Sequence, residues 1–185
     1  MAALLIEGGR RLSGRVHVEG NKNAALPLLA ACLLTDEECE ISNVPAIRDV
    51  EVLLDILVGL GAEIRRVGAS TLKVRCEQVR SSEPDAAQVG KLRGSVLLMG
   101  PLLARTGAVR LAAPGGDFPT RRTIATHLQA LTALGAVVVD DGVHRLEAPE
   151  GLAGASFYLD EASVTGTETA LLAAAAARGV TEIRH

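Results

Sequence analysis

The chain has 185 residues, of which 48% are apolar and 2% aromatic, and its 22 acidic and 19 basic residues give a net charge of −3. This length and composition fit one ordinary domain whose core is built from Ala, Leu and Val. The weak negative charge and the scarcity of aromatic rings argue against nucleic-acid binding, and no uncharged apolar run reaches the about 18 residues of a membrane helix. Cys32, Cys39 and Cys76 form no C-x-x-C pair, so we expect reduced thiols in a cytoplasmic protein rather than disulfides or a zinc site.

The chain opens with two predicted strands, at 4–7 and 15–19, followed by an apolar helix predicted over 23–34. Asn23 suits the N-cap or first turn of this helix. Lys22 would then project from a helix N-terminus, where the dipole and free N–H groups favour an anion. A solvated lysine in a turn is the plainer alternative.

The rest of the chain alternates helical and strand patterns. Strands are predicted at 38–44, 62–65, 70–74, 108–111, 136–139, 143–147, 156–159 and 181–183, and helices at 49–60, 88–105, 122–134 and 167–178. The segment 57–62 resembles 131–136, and 23–41 has the same helix-then-strand form as 167–183. The pattern predicts an α/β (α+β) fold of repeated βαβαββ units that pack their helices inward, with a third unit cut short.

The stretch from Gly20 to Pro27, with the sequence GNKNAALP, resembles the opening motif of the UDP-N-acetylglucosamine enolpyruvyl transferase family. The resemblance implies an inverse α/β barrel, or prism, of three such units around a pseudo-threefold axis in each of two domains. It places 22–185 in one domain, with repeats near 22–80, 81–150 and 151–185, the last truncated, and assigns the strands in 1–21 to the other domain. Because members of the family are much longer, we expect the second catalytic domain to be absent here and the isolated chain to be inactive.

The resemblance also implies an activity, the transfer of an enolpyruvyl group from phosphoenolpyruvate to the 3′-hydroxyl of UDP-N-acetylglucosamine in peptidoglycan synthesis. Lys22 and Arg122 would contact phosphoenolpyruvate. Asn23 would contact the sugar nucleotide, and Arg93 stands at the position of a substrate-binding arginine. The turn formed by Ser163, Val164, Thr165 and Gly166 would bind the UDP diphosphate. No metal or organic cofactor is implied, since cationic side chains meet the phosphate directly.

Asp117 stands where most members of the family have a cysteine that serves in proton transfer to phosphoenolpyruvate. An aspartate can act as a general acid only if it is protonated, and its ordinary pKa of about 3.9 is too low for that. Burial would raise the pKa and neighbouring cations would lower it, so the sequence leaves its protonation open. A plain turn residue after two glycines is the alternative.

Other positions depart from the family pattern. Thr123 and Ala125 replace a proline and a carboxylate, and Glu161 stands where some members have lysine, whereas His127 keeps its family position. These changes leave alternatives open: a non-catalytic UDP-sugar-binding half or paralogue, completed by another chain, or another enzyme of similar architecture, such as EPSP synthase or RNA terminal phosphate cyclase.

Overall fold

The computed structural model describes residues 3–115, 123–140 and 143–184, with the side chain of Asp140 excepted. The first unit contains helix α1 (Lys22–Ala31), a 3₁₀ turn (Cys32–Leu34), strand β1 (Cys39–Ile41), helix α2 (Arg48–Gly59) and strands β2 (Glu63–Val67) and β3 (Thr71–Arg75). The second contains helix α3 (Ala86–Val89), a 3₁₀ turn (Arg93–Leu98), helix α4 (Met99–Thr106), strand β4 (Ala108–Leu111), helix α5 (Ala125–Ala133) and strands β5 (Val137–Asp140) and β6 (His144–Glu147). The third contains strand β7 (Ser156–Tyr158), helix α6 (Val164–Ala174) and strand β8 (Glu182–Arg184).

The sheets confirm the predicted repeat. The first sheet has the order β1-β3-β2 and the second β4-β6-β5, and in each the last strand of the unit lies antiparallel between the other two. In the third unit β7 and β8 pair in parallel and α6 connects them. Within the described residues the three sheets stay separate and do not close into a barrel.

The helices meet in the interior, and each three-stranded sheet turns one face to them. Helix α6 packs on both α4 and α5, while α1 packs on α2. Alternate sheet residues such as Leu72, Val74 and Leu146 are at most 2% exposed. One continuous cluster of Leu, Val and Ala joins the three units. The packing of helices inside and sheets outside is therefore as predicted.

The N-terminal strands were predicted wrongly. Residues 3–21 contain no strand, and Leu4, Ile6 and Val16 are 93%, 85% and 89% exposed. A strand needs a neighbour for its N–H and C=O groups, and among the described residues no strand lies beside this segment.

The single helix predicted over 88–105 is also wrong. Helix α3 ends at Val89, and the backbone of Leu92 is extended, with φ −135° and ψ 115°, before the 3₁₀ turn begins at Arg93. Gly90 ends α3, and a Cβ at Gly94 would lie 2.8 Å from Leu26 Cδ1, so this stretch follows the surface of α1 instead of continuing as a helix. The break places Arg93 at the start of a turn.

Smaller differences concern element ends. Helix α6 begins at Val164, three residues before the predicted start, because the Ser163 hydroxyl caps it. Helix α5 begins at Ala125, and the predicted start at Arg122 lies outside the described residues. Residues 141–142, between the strands predicted at 136–139 and 143–147, also lie outside them.

Candidate active site

An open cavity of about 700 Å³ lies between the N-termini of α1 and α6 and the turn that precedes α4. Its walls combine cationic, acidic and hydroxyl side chains with a few apolar ones. The polar residues among them are Lys22, Asn23, Asp49, Lys91, Arg93, Thr123, Glu161, Ser163, Thr165 and Glu168. This volume is in the range of small-molecule sites.

Lys22 is the first residue of α1, and the helix holds it at the cavity wall. The N-cap is Asn21, whose Oδ1 accepts hydrogen bonds from the backbone N–H groups of Asn23 at 2.7 Å and Ala24 at 3.2 Å. The Lys22 ammonium donates to Asp49 Oδ2 at 2.9 Å, with the two side chains 49% and 38% exposed. Asn23 lies in the first turn, one of the two positions predicted for it.

Arg93 reaches the cavity from the 3₁₀ turn. The turn is anchored by Ser95, whose buried hydroxyl donates to the Leu92 carbonyl at 2.6 Å. Lys91 lines the same wall. The sequence predicted Arg93 within a regular helix. The structure instead places it at the start of a 3₁₀ turn, with Lys91 on the same cavity wall.

The N-terminus of α6 forms the opposite wall. Ser163 caps it by accepting from the Gly166 N–H at 3.1 Å. Gly166 is buried, and a Cβ there would lie 2.7 Å from Thr126 Cγ2. Gly166 therefore allows α5 and α6 to approach closely, whereas Ser163, Val164 and Thr165 line the cavity.

A buried histidine joins these two helices. His127 of α5 is 3% exposed, and its Nδ1 lies 2.8 Å from Thr169 Oγ1 and its Nε2 3.3 Å from Thr165 Oγ1. Burial, and secondarily the positive charge of Arg93, lowers the pKa of His127 from 6.5 to about 4. The imidazole is therefore neutral near pH 7.

Acidic groups share the cavity with the cations. Asp49, Glu161 and Glu168 all line it, and burial raises the pKa of Glu168. Asp49, Lys91 and Glu168 were not among the site residues predicted from the sequence. The signal available for Asp49 was an acidic residue in the first turn of α2, and the signal for Glu168 was its position two residues after the 163–166 turn.

The fold thus gathers most of the predicted site residues. Lys22, Asn23, Arg93, Ser163, Val164 and Thr165, from segments far apart in the chain, all line the one cavity. Gly166 does not line the cavity, and its contact with Thr126 lets α5 and α6 pack closely beside it. Asp117 and Arg122 lie outside the described residues, so their predicted roles stay predictions.

Comparison with known proteins identifies the family. Residues 6–185 match the family model described as EPSP synthase (3-phosphoshikimate 1-carboxyvinyltransferase). The chain belongs to the EPSP synthase family. A family member from Bradyrhizobium diazoefficiens, named UDP-N-acetylglucosamine 1-carboxyvinyltransferase, is 46% identical over 98% of this chain and 42% of its own length. The enzyme of the same name from Borreliella burgdorferi is 43% identical over 100% of this chain and 43% of its own length.

Solved structures of an enolpyruvyl transferase and of EPSP synthases show the same fold. The enolpyruvyl transferase NikO from Streptomyces tendae matches 96% of this chain and 42% of its own, with a TM-score of 0.79 and 29% identity. An EPSP synthase from Acinetobacter baumannii matches 92% of this chain and 40% of its own, with a TM-score of 0.71 and 17% identity, a likeness of fold alone. This chain therefore spans about 43% of the length of the curated relatives it matches. In the part of the chain that the structure describes, every helix is too short or too polar to cross a bilayer.

Proposed function

We propose that this chain carries the sugar-nucleotide side of a UDP-N-acetylglucosamine 1-carboxyvinyltransferase. The reaction moves the enolpyruvyl group of phosphoenolpyruvate to the 3′-hydroxyl of UDP-N-acetylglucosamine and releases phosphate. The observation that carries the proposal is the shared cavity, where Lys22 and Arg93 face the N-terminus of α6. Relatives at 42–46% identity bear the name of this enzyme. The proposal places the protein in peptidoglycan synthesis, and hence in cell-wall formation, cell shape and division.

Each wall suits one part of the substrates. The Arg93 guanidinium offers a planar fork of donors and Lys22 a mobile ammonium, both suited to phosphate and carboxylate oxygens. The N-terminus of α6 adds a positive dipole end and the hydroxyls of Ser163 and Thr165, a combination that favours a diphosphate. Asn23 lines the cavity, and in this proposal its amide hydrogen-bonds the sugar nucleotide. In this proposal no metal or organic cofactor takes part.

Asp117 and Arg122 complete the chemistry on the strength of the sequence. Arg122 would bind the phosphate and carboxylate of phosphoenolpyruvate, and Asp117 would protonate its methylene carbon to give an oxocarbenium-like centre. For Asp117 to start as an acid, its pKa must be raised, and a bound phosphate that offsets the nearby cations would act in that direction.

The proposal includes a domain organisation. Residues 22–185 form the domain with repeats near 22–80, 81–150 and 151–185, and 1–21 belong against a second domain or another chain. The exposed Leu4, Ile6 and Val16 support this, because exposed apolar side chains of this kind mark a surface that packs against another protein surface. We expect turnover to need that second part. The free cysteines suit a reducing compartment, so we place the enzyme in the cytoplasm.

A different acceptor is the second candidate. Thr123 and Glu161, two of the departures from the family pattern, both line the cavity. A carboxylate near a diphosphate repels it, so Glu161 favours an enolpyruvyl transferase whose acceptor carries no diphosphate, such as EPSP synthase.

Calorimetric titration of the purified chain tests the proposal. UDP-N-acetylglucosamine should bind, Asn23→Ala and Arg93→Ala should each weaken binding by about tenfold, and Arg65→Ala, a cation on β2 outside the cavity, should leave it unchanged. A preference for shikimate 3-phosphate would favour the second candidate. A coupled phosphate-release assay should detect no turnover by the chain alone.

A further inference from the structure

A chain of two side-chain hydrogen bonds connects α5 to α6 and ends at the cavity. It runs from the Thr169 hydroxyl to Nδ1 of His127, and from Nε2 of His127 to the Thr165 hydroxyl. Thr169 is 0% exposed and His127 3% exposed, whereas Thr165 is half-buried and lines the cavity. The hydrogen-bond direction at the buried end therefore determines what the exposed end offers to a ligand.

The hydrogen bond at the buried end, between Thr169 and His127, can run in only one direction. The hydroxyls of Thr106, Thr132 and Thr167 each donate to a backbone carbonyl four residues earlier. Among the described residues, Thr169 hydrogen-bonds through its hydroxyl to His127 and to no carbonyl. Leaving a buried hydroxyl proton without an acceptor costs about 1–3 kcal/mol, so Thr169 donates to Nδ1.

The His127 imidazole fixes the direction of the second hydrogen bond, between Nε2 and Thr165. It is neutral, because burial and the charge of Arg93 lower its pKa, and a neutral imidazole carries one proton. With Nδ1 accepting, that proton is on Nε2, which donates to Thr165 Oγ1. The Thr165 hydroxyl proton must then point elsewhere, and the side chain lines the cavity.

We propose that His127 is a positioning residue that turns the hydroxyl proton of Thr165 toward a phosphate oxygen of the sugar nucleotide bound in the cavity. The inference rests on the proposed function for the identity of the ligand, and on the geometry alone for the direction of the hydrogen bonds. In the opposite tautomer Thr165 would donate to His127 and present lone pairs to the ligand, which an anion would avoid. The histidine and its two threonines thus make one wall of the cavity selective for an acceptor of hydrogen bonds.

Binding of UDP, as the probe, to variants of the full chain tests this. Thr165→Val should weaken UDP binding about five- to tenfold, His127→Leu by a similar factor, and the double variant by no more than either alone, because both remove the same hydrogen bond to the ligand. His127→Gln, which keeps an amide N–H near the position of Nε2, should stay within about twofold of the unchanged chain. Thr132→Val removes a hydroxyl that bonds Leu128 on α5 and is the matched control, with UDP affinity unchanged.

A purely structural histidine would give another result. The variants would lower the thermal midpoint while the folded protein bound UDP as before, or the effects of Thr165→Val and His127→Leu would add. Either result overturns the proposal.

Nitrogen-15 shifts of the histidine rings test the same inference without a ligand. The assignment of His127 follows from the signal lost in His127→Gln, and the proposal requires the proton on Nε2 and a lone pair on Nδ1. A proton on Nδ1 overturns the proposal even if UDP binds. Failure of the unchanged chain to bind UDP, with the proton on Nε2, would instead overturn the proposed function and the ligand named here, while the hydrogen-bond direction would stand.

Discussion

Lys22 and Asp49 form an ion pair of 2.9 Å at the wall of the cavity, between the first turns of α1 and α2. The pair joins the lysine that we propose contacts phosphoenolpyruvate to a carboxylate that an incoming phosphate would have to displace. Both side chains keep substantial exposure, so the attraction is modest and an anion of higher charge can compete for the ammonium.

We therefore expect Asp49→Asn to strengthen binding of phosphoenolpyruvate by about two- to fivefold at low salt, because the carboxylate no longer competes for Lys22. Calorimetry at increasing NaCl measures the gain, which should shrink as salt screens the charges. Glu38→Gln, which removes the partner of Lys73 and Arg65 on the first sheet, is the control and should change nothing. Weaker binding by Asp49→Asn would mean that the carboxylate orients Lys22 instead of competing for it.

The buried His127 makes stability depend on pH. Its pKa is about 4 in the folded chain and ordinarily 6.5, so between these values the unfolded chain binds the proton more readily. Lowering the pH from 7 to 4 should reduce the free energy of unfolding, by about 3 kcal/mol for this group, and raising the pH should restore it.

Urea unfolding of the unchanged chain and of His127→Gln isolates this contribution. The raised pKa of Glu168 acts in the opposite direction over part of the range and is common to both proteins, so the difference between them is the relevant quantity. A difference that stays constant from pH 7 to pH 4 would show that His127 is not held neutral.

Gly100 sets the distance between α4 and α6. A Cβ there would lie 3.1 Å from both the backbone nitrogen of Ala173 and the carbonyl oxygen of Thr169, and backbone atoms cannot move aside as a flexible side chain can. Gly100→Ala should lower the free energy of unfolding by about 1–3 kcal/mol. Gly59→Ala is the matched control, since a Cβ on this helical glycine meets no atom within 4 Å, and it should raise stability by up to about 1 kcal/mol. Equal effects in urea unfolding would contradict the close packing of the two helices.

Fosfomycin should not modify this chain at the loop of Asp117. The family resemblance implies that the antibiotic alkylates the loop cysteine, and a carboxylate is a weaker nucleophile than a thiolate. Burial raises the pKa of Cys32 to about 12 and that of Cys76 above its ordinary value, so these thiols should not react either. Intact mass and peptide mapping check this, with Asp117→Cys as the variant expected to react. An adduct on Asp117 would refute the prediction.

The elements that the sequence predicted well are those with a local cause. Strand β4 was predicted at 108–111 and is observed there, and α2 differs by one residue at each end from its predicted 49–60. Apolar periodicity and the glycines that end the helices suffice for these. The N-terminal strands failed because a strand depends on a neighbour, which periodicity does not reveal.

The site was predictable in part. Lys22, Arg93 and the 163–166 turn came from the family resemblance, and the structure adds that Lys22, Arg93 and residues 163–165 share a cavity. The pair of Lys22 with Asp49 and the contacts of His127 with Thr165 and Thr169 join residues far apart in the chain. No local spacing marks such pairs, so they needed the fold.

The most direct measurement is a map of backbone amide shifts of the labelled chain on titration with UDP-N-acetylglucosamine. We predict saturable shifts concentrated at Lys22, Asn23, Arg93 and residues 163–166, which Asn23→Ala and Arg93→Ala weaken. Saturable shifts confined to other surfaces, or no shifts at millimolar ligand, would contradict it.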